Sequence, residues 1–182
     1  MAAQLTDDEL SAALAGEPSG FSAVYSTMSP AVLGYFRARG VDDPEALTQD
    51  VFVDVLPKLT GIKGGHAGLR TFLFSIAHAR LVDYRRRSAR TPQLTEYDPL
   101  QDRRFSNSAE DDVLGSLGGI SSTLSMLNDE QREVLILRIV ADLSVEQVAG
   151  IMNKTPGAVK QLQRRGLIAL RELVKDKDHT PS

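Results

Sequence analysis

Cysteine is missing from all 182 residues. A disulfide framework, a cysteine zinc site and a thiol nucleophile are thereby excluded. Histidine is scarce: His66, His78 and His179 are the only three, and no two stand at a metal-ligand spacing. No GxxxxGK[ST] loop and no nucleophile elbow is present, and the serines and threonines fall at helix caps. The expectation is a protein that is not an enzyme, with no catalytic residue, no metal and no cofactor. No apolar run approaches the ~18 residues of a membrane span, so no membrane contact is expected. The N-terminal stretch carries Asp7-Asp8-Glu9, unlike a signal or transit peptide. A cytoplasmic location is expected.

What is present is an ordinary globular composition, 42% hydrophobic and 25% charged, with a net charge of −3. The charge is unevenly laid out. Residues 1–90 balance ten bases with ten acids, residues 91–128 carry six acids against two bases, and residues 129–182 carry nine bases against eight acids. Any nucleic-acid surface must therefore be a local cluster of cations.

Helix signals recur along the chain and strand signals barely appear. Thr6 to Glu9 reads as a capping box for a short helix through Leu14. A second helix is expected from about Phe21 to Arg39, stopped by Gly40. Asp43-Pro44 is an N-cap followed by proline at the first helical position, opening a helix to about Leu59. Thr60–Gly68, with four glycines in nine residues, reads as a loop. A further helix follows from about Leu69 to Arg87. Residues 91–119 lose periodicity and read as a flexible acidic linker. Beyond it, Asn128–Gln131 and Ser144–Gln147 are capping boxes for helices to Val140 and Met152. Thr155-Pro156 opens a last helix to about Val174, with a frayed tail after it. The expected fold is all-α: two small helical domains, 1–90 and 120–182, on a flexible linker. One continuous bundle would need a loop of more than about 20 residues inside a compact domain.

Leu143–Leu173 has helix-turn-helix proportions. On a 100° wheel, Val159, Leu162, Gly166, Ala169, Leu170 and Leu173 share one side of the long helix. Lys160, Gln161 and Arg164 share the other with Gly157, and Arg165 lies beside them. Cations and an amide near a helix start suit phosphates and major-groove base edges, and Thr155 with the first-turn amides suits a phosphate. The same spacing also describes a three-helix bundle with a solvated charged face.

In the N-terminal half, Phe72, Phe74 and Tyr84 are interleaved with Arg80 and the run Arg85-Arg86-Arg87, behind a loop containing Lys63 and His66. Aromatics beside cations are what single-stranded nucleic acid requires. Taken bare, they also describe core aromatics and a basic helix end. The helix from Pro44 turns Gln49, Asp50 and Val53 outward, with Asp54 at the border. An exposed valine framed by carboxylates fits a basic protein partner; an ordinary amphipathic helix fits too.

Asp43–Phe52, then Leu69–Ala77 and Asp83–Arg87, resemble region 2 of an extracytoplasmic-function (ECF, group IV) sigma factor. Leu127–Leu135, then Leu143–Ala149 and Gly157–Lys160, resemble region 4. The resemblance covers nearly the whole chain, in order. It implies a subunit that binds core RNA polymerase, on its clamp helices through Gln49, Asp50, Val53 and Asp54 and on its flap through region 4, and directs it to promoter DNA. It implies minus-ten contacts by Lys63, His66, Phe72, Phe74, His78, Arg80, Arg85, Arg86 and Arg87. It further implies minus-thirty-five contacts by Thr155, Lys160, Gln161, Arg164 and Arg165, and an anti-sigma factor as partner. Ala46, Phe72, Ala79, Leu162 and Gly166-Leu167-Ile168 depart from the family pattern. The alternative is a stand-alone helix-turn-helix regulator with an N-terminal sensing or dimerisation domain, which should bind duplex DNA as a dimer.

Overall fold

The computed structural model describes residues 4–90 and 123–178. Among them are seven α-helices and one 3₁₀ helix: α1 (Asp7–Leu14), α2 (Pro18–Ala38), α3 (Pro44–Val55), the 3₁₀ turn Leu56–Gly61, α4 (Gly65–Arg90), α5 (Asp129–Ile139), α6 (Val145–Met152) and α7 (Pro156–Asp178). The all-α class holds. The expected acidic linker, 91–119, lies outside the described residues.

Local chemistry sets most boundaries. Thr6 and Glu9 close a reciprocal capping box on α1, as do Ser144 and Gln147 on α6. Asp43 accepts from the Ala46 amide at the start of α3, and Asn128 accepts from Gln131 at the start of α5. Gly40, with φ of +69°, stops the chain after α2 in a conformation that side chains disfavour. Several boundaries differ from the sequence expectation. α2 begins at Pro18, where proline fits the first turn. Pro57 sits in a 3₁₀ turn that tightens the expected end of α3. α4 starts at Gly65, so part of the glycine-rich stretch is helical. α7 continues to Asp178 rather than fraying after Val174.

α1 to α4 form one helical layer around Val24, Phe36, Phe52, Leu73 and Phe74, all at most 2% exposed. α5 to α7 enclose Val134, Leu137, Leu143, Val148 and Val159. α7 lies so close to α5 that a Cβ on Gly166 would stand 2.9 Å from Leu135 Cδ1. The αL residue Asn153, with φ of 52°, makes the corner between α6 and α7, giving the helix-turn-helix that the sequence proportions suggested.

The two halves touch. α5 lies against α2, and α6 lies against α4. Arg70 donates to the Ala141 carbonyl at 3.1 Å, and the Gln147 amide donates to Thr71 Oγ1 at 2.6 Å.

Candidate functional site

Four surfaces carry the candidate residues. The first is the outer face of α3. Gln49 and Asp50 are exposed there, and Val53 is 70% exposed, large for an aliphatic side chain on a folded surface. Asp54, at the border, is engaged: Arg80 Nε donates to its Oδ2 at 2.8 Å. That hydrogen bond holds the Arg80 guanidinium above its ordinary pKa. α3 presents this face because Val51, Phe52 and Val55 are drawn into the core on its other side.

The second is an open hollow of about 390 Å³ lined by Lys58, Gly61, Ile62, Lys63, Gly68 and Phe72. A Cβ on Gly68 would lie 1.9 Å from the Lys63 carbonyl oxygen, so the loop rests directly on the first turn of α4. Two expected minus-ten residues, Lys63 and Phe72, meet here. Lys58 joins them; its place in the 3₁₀ turn just before the loop was the available signal. His66 is turned away, its Nε2 2.9 Å from Asp7 Oδ1 on α1.

Phe74 requires a correction. It has no exposed surface and packs edge-on to Tyr35 with ring centroids 5.8 Å apart. A fully buried ring offers no face to a base, so Phe74 belongs to the core. Farther along α4, Arg86 pairs with Asp83 at 3.1 Å. Arg87 lines a separate hollow with Leu47, Arg80, Tyr84 and Ser88.

The third surface is α7. Lys160, Gln161, Arg164 and Arg165 are all exposed, whereas Val159 and Gly166 are buried. Thr155 caps the helix, its hydroxyl oxygen accepting from the Ala158 amide at 3.2 Å. Lys154 pairs with Glu130 at 2.6 Å, and Arg138 reaches Gln163 at 3.3 Å; together they tie the turn and the helix to α5.

The fourth was not anticipated. Glu133 on α5 and Arg39 at the end of α2 each expose only 3% of their side chains, and they pair at 2.9 Å between Oε2 and Nε. The two atoms attract as charges but lie off the line of a hydrogen bond. The other Glu133 oxygen accepts from Tyr35 Oη at 2.6 Å and lies 2.7 Å from His78 Nδ1. Beside them, Asp129 pairs with Arg85 at 3.0 Å and stands 3.6 Å from Arg39. Two expected minus-ten residues, His78 and Arg85, are thus occupied by acids from the other half. One sequence signal existed: Glu133 stands four residues before Leu137, on the inward side of α5.

Burial pushes the Glu133 carboxyl up, but the His78 hydrogen bond, the Arg39 charge and the Tyr35 hydroxyl outweigh it and leave it below its ordinary value. Burial pushes the Tyr35 hydroxyl well up, aided by Glu133, and pulls the Arg39 guanidinium down. A depressed carboxyl stabilises above its unfolded pKa and loses that contribution as pH falls through the folded value. The stability contributed by Glu133 is therefore fully present above the ordinary carboxylate value of 4.5 and is lost progressively below it, as pH falls through the lower folded-state value. Thermal unfolding across the acid range should show this, and Glu133→Gln should flatten the profile. An equally steep profile in that variant would remove Glu133 from the account.

Among the described residues no helix is long and apolar enough to cross a membrane.

Residues 123–172 match the family described as sigma-70, region 4. Over 168 residues the chain is 30% identical to the ECF RNA polymerase sigma factor BldN of Streptomyces coelicolor, covering 90% of this chain and 64% of BldN. Over 181 residues it is 28% identical to the ECF RNA polymerase sigma factor SigD of Mycobacterium tuberculosis, covering 94% of this chain and 85% of SigD. Among solved structures, CnrH in complex with the cytosolic domain of CnrY has a similar fold. The TM-score is 0.66 at 21% identity, over 95% of this chain and 99% of that one.

Proposed function

We infer that this chain is an ECF sigma factor, a subunit that binds core RNA polymerase and confers promoter specificity on it. The observation that carries the reading is the exposed face of α7. Lys160, Gln161, Arg164 and Arg165 project from a helix-turn-helix, within the segment that matches sigma-70 region 4. In this reading α7 enters the major groove of the minus-thirty-five element. Its cations meet phosphates and guanine edges, and Gln161 suits adenine. The hollow of Lys58, Lys63 and Phe72 takes an unpaired base of the minus-ten element, stacking it on the ring while the lysines meet the backbone. The α3 face of Gln49, Asp50 and Val53, with Asp54 at its edge, grips the clamp helices of the polymerase, and the C-terminal half docks on the flap. An anti-sigma factor that covers these faces is part of the proposal. The chemistry of RNA synthesis belongs to the polymerase.

The direct test is transcription in vitro with purified core polymerase, this chain and a genomic promoter library, followed by start-site mapping. Discrete start sites that depend on the chain support the reading; none from any template ends it. Within this frame, Arg164→Ala should weaken promoter binding by about tenfold and relax preference at one base pair, as loss of a base contact does. Competition with single-base promoter variants checks it. Uniform weakening with a shallower salt dependence would instead make Arg164 a phosphate contact.

A further inference from the structure

The outer side of α7 is not uniformly polar. Gln161, Arg164 and Arg165 are exposed along it, and Ile168 follows with 49% of its surface open. The four stand at i, i+3, i+4 and i+7, so they form one row along the helix. The opposite side is fixed: Val159 is fully buried, and a Cβ on Gly166 would press on Leu135. α7 cannot roll Ile168 inward without uncovering that side. On its own row the isoleucine has an amide and two guanidiniums for neighbours.

A lone aliphatic side chain on a surface calls for no explanation. Ile168 differs in where it stands. A helix lying along the major groove presents base-reading residues at this same i, i+3, i+4, i+7 spacing. The groove offers donors and acceptors at every base pair and one apolar group, the C5 methyl of thymine. A side chain that neither donates nor accepts finds its match in that group.

We propose that Ile168 is a specificity-determining residue of α7: it reads the methyl group of one thymine in the duplex that α7 enters. The proposal rests on the sigma-factor reading and adds to it a base that the charged residues do not select. Isoleucine is branched at Cβ, so in a helix its χ1 is held largely in one rotamer, and little freedom is lost when it meets the base. From Gln161 to Ile168 the helix rises about 10.5 Å, about three base-pair steps, so the whole row falls within one short site. Covering one methyl group weighs about fourfold in affinity.

Deoxyuridine differs from thymidine only in lacking that methyl, so the test needs no change to the protein. Promoter duplexes recovered by start-site mapping are bound by core polymerase carrying the full chain. Each thymine of the minus-thirty-five element is replaced by deoxyuridine in turn. One replacement should weaken binding about fourfold. Ile168→Ala should bind the unmodified duplex about fourfold more weakly than the parent and be indifferent to that same replacement, the mark of a direct pair. Ile168→Val, which keeps the branch, should retain most of the difference. Both variants should keep the helical content and melting temperature of the parent, because the position is exposed. Discrete start sites with every thymine replaceable at no loss overturn the proposal and leave the sigma-factor reading standing. A penalty that persists in Ile168→Ala assigns the methyl to another residue and also overturns it. So does weaker binding of Ile168→Ala to core polymerase itself, which would make Ile168 a protein contact. If no template gives a start site that depends on the chain, the sigma-factor reading has failed and the proposal fails with it.

Discussion

Core RNA polymerase will capture the Asp50→Arg, Val53→Glu double variant about a hundredfold more weakly than the parent, while the variant keeps its helical content and melting temperature. The two positions are exposed on α3, and neither contributes to the core. Val53, at 70% exposure, has no structural use for its methyl groups in the free chain. A partner that covers it gains apolar burial, and Asp50 beside it offers a charge to a basic neighbour. Reversing the one and charging the other places like charge against like and a carboxylate in an apolar contact, both costly once desolvated. Affinity of immobilised core polymerase for labelled chain measures the effect. Unchanged affinity would remove α3 from the polymerase-binding surface. Asp54 is left alone in this design, because its ion pair with Arg80 would confuse loss of binding with loss of packing.

Gly20→Ala will destabilise the N-terminal half by about 3 kcal/mol and lower its melting temperature by about 15 °C. The reason is a backbone-to-backbone approach. A Cβ at Gly20 would lie 2.0 Å from the Ala13 amide nitrogen and 2.5 Å from both Ala12 C and Ala13 Cα. No rotamer relieves such a clash, so α1 has to retreat, uncovering Leu10 and Ala13, which are 6% and 0% exposed. The retreat also strains the Asp7–His66 pair between α1 and α4. Gly150→Ala is the matched control. It too lies in a helix, but its Cβ would meet nothing within 4 Å, and alanine there should be neutral or stabilising by up to about 1 kcal/mol. Melting of Gly20→Ala within a degree or two of the parent would mean that α1 is not packed as described.

The two results probe different links. The first asks whether an exposed apolar spot has a partner; the second asks what lets two helices approach closely. Only the first was open to the sequence, since the periodicity of α3 turns Val53 outward while Val51, Phe52 and Val55 face inward. Nothing local announces that Gly20 abuts Ala13, because a glycine near a helix start reads the same whether or not another backbone lies against it.

The helices, their caps and the two faces of α7 were legible because they depend on residues three or four apart, within reach of a single turn. Thr6 with Glu9, Ser144 with Gln147 and the alternation of Val159 with Lys160 are short-range facts that the chain cannot evade. Tertiary packing decided where an aromatic or a charge goes when both solvent and interior are open to it. Phe72 reached the hollow and Phe74 the core, two residues apart on one helix. Glu133 became a buried ion because Tyr35, Arg39 and His78 meet it from 55 to 98 positions away. A charge can leave water only if its counter-charges arrive with it, and that condition is met by folding across the chain rather than along it.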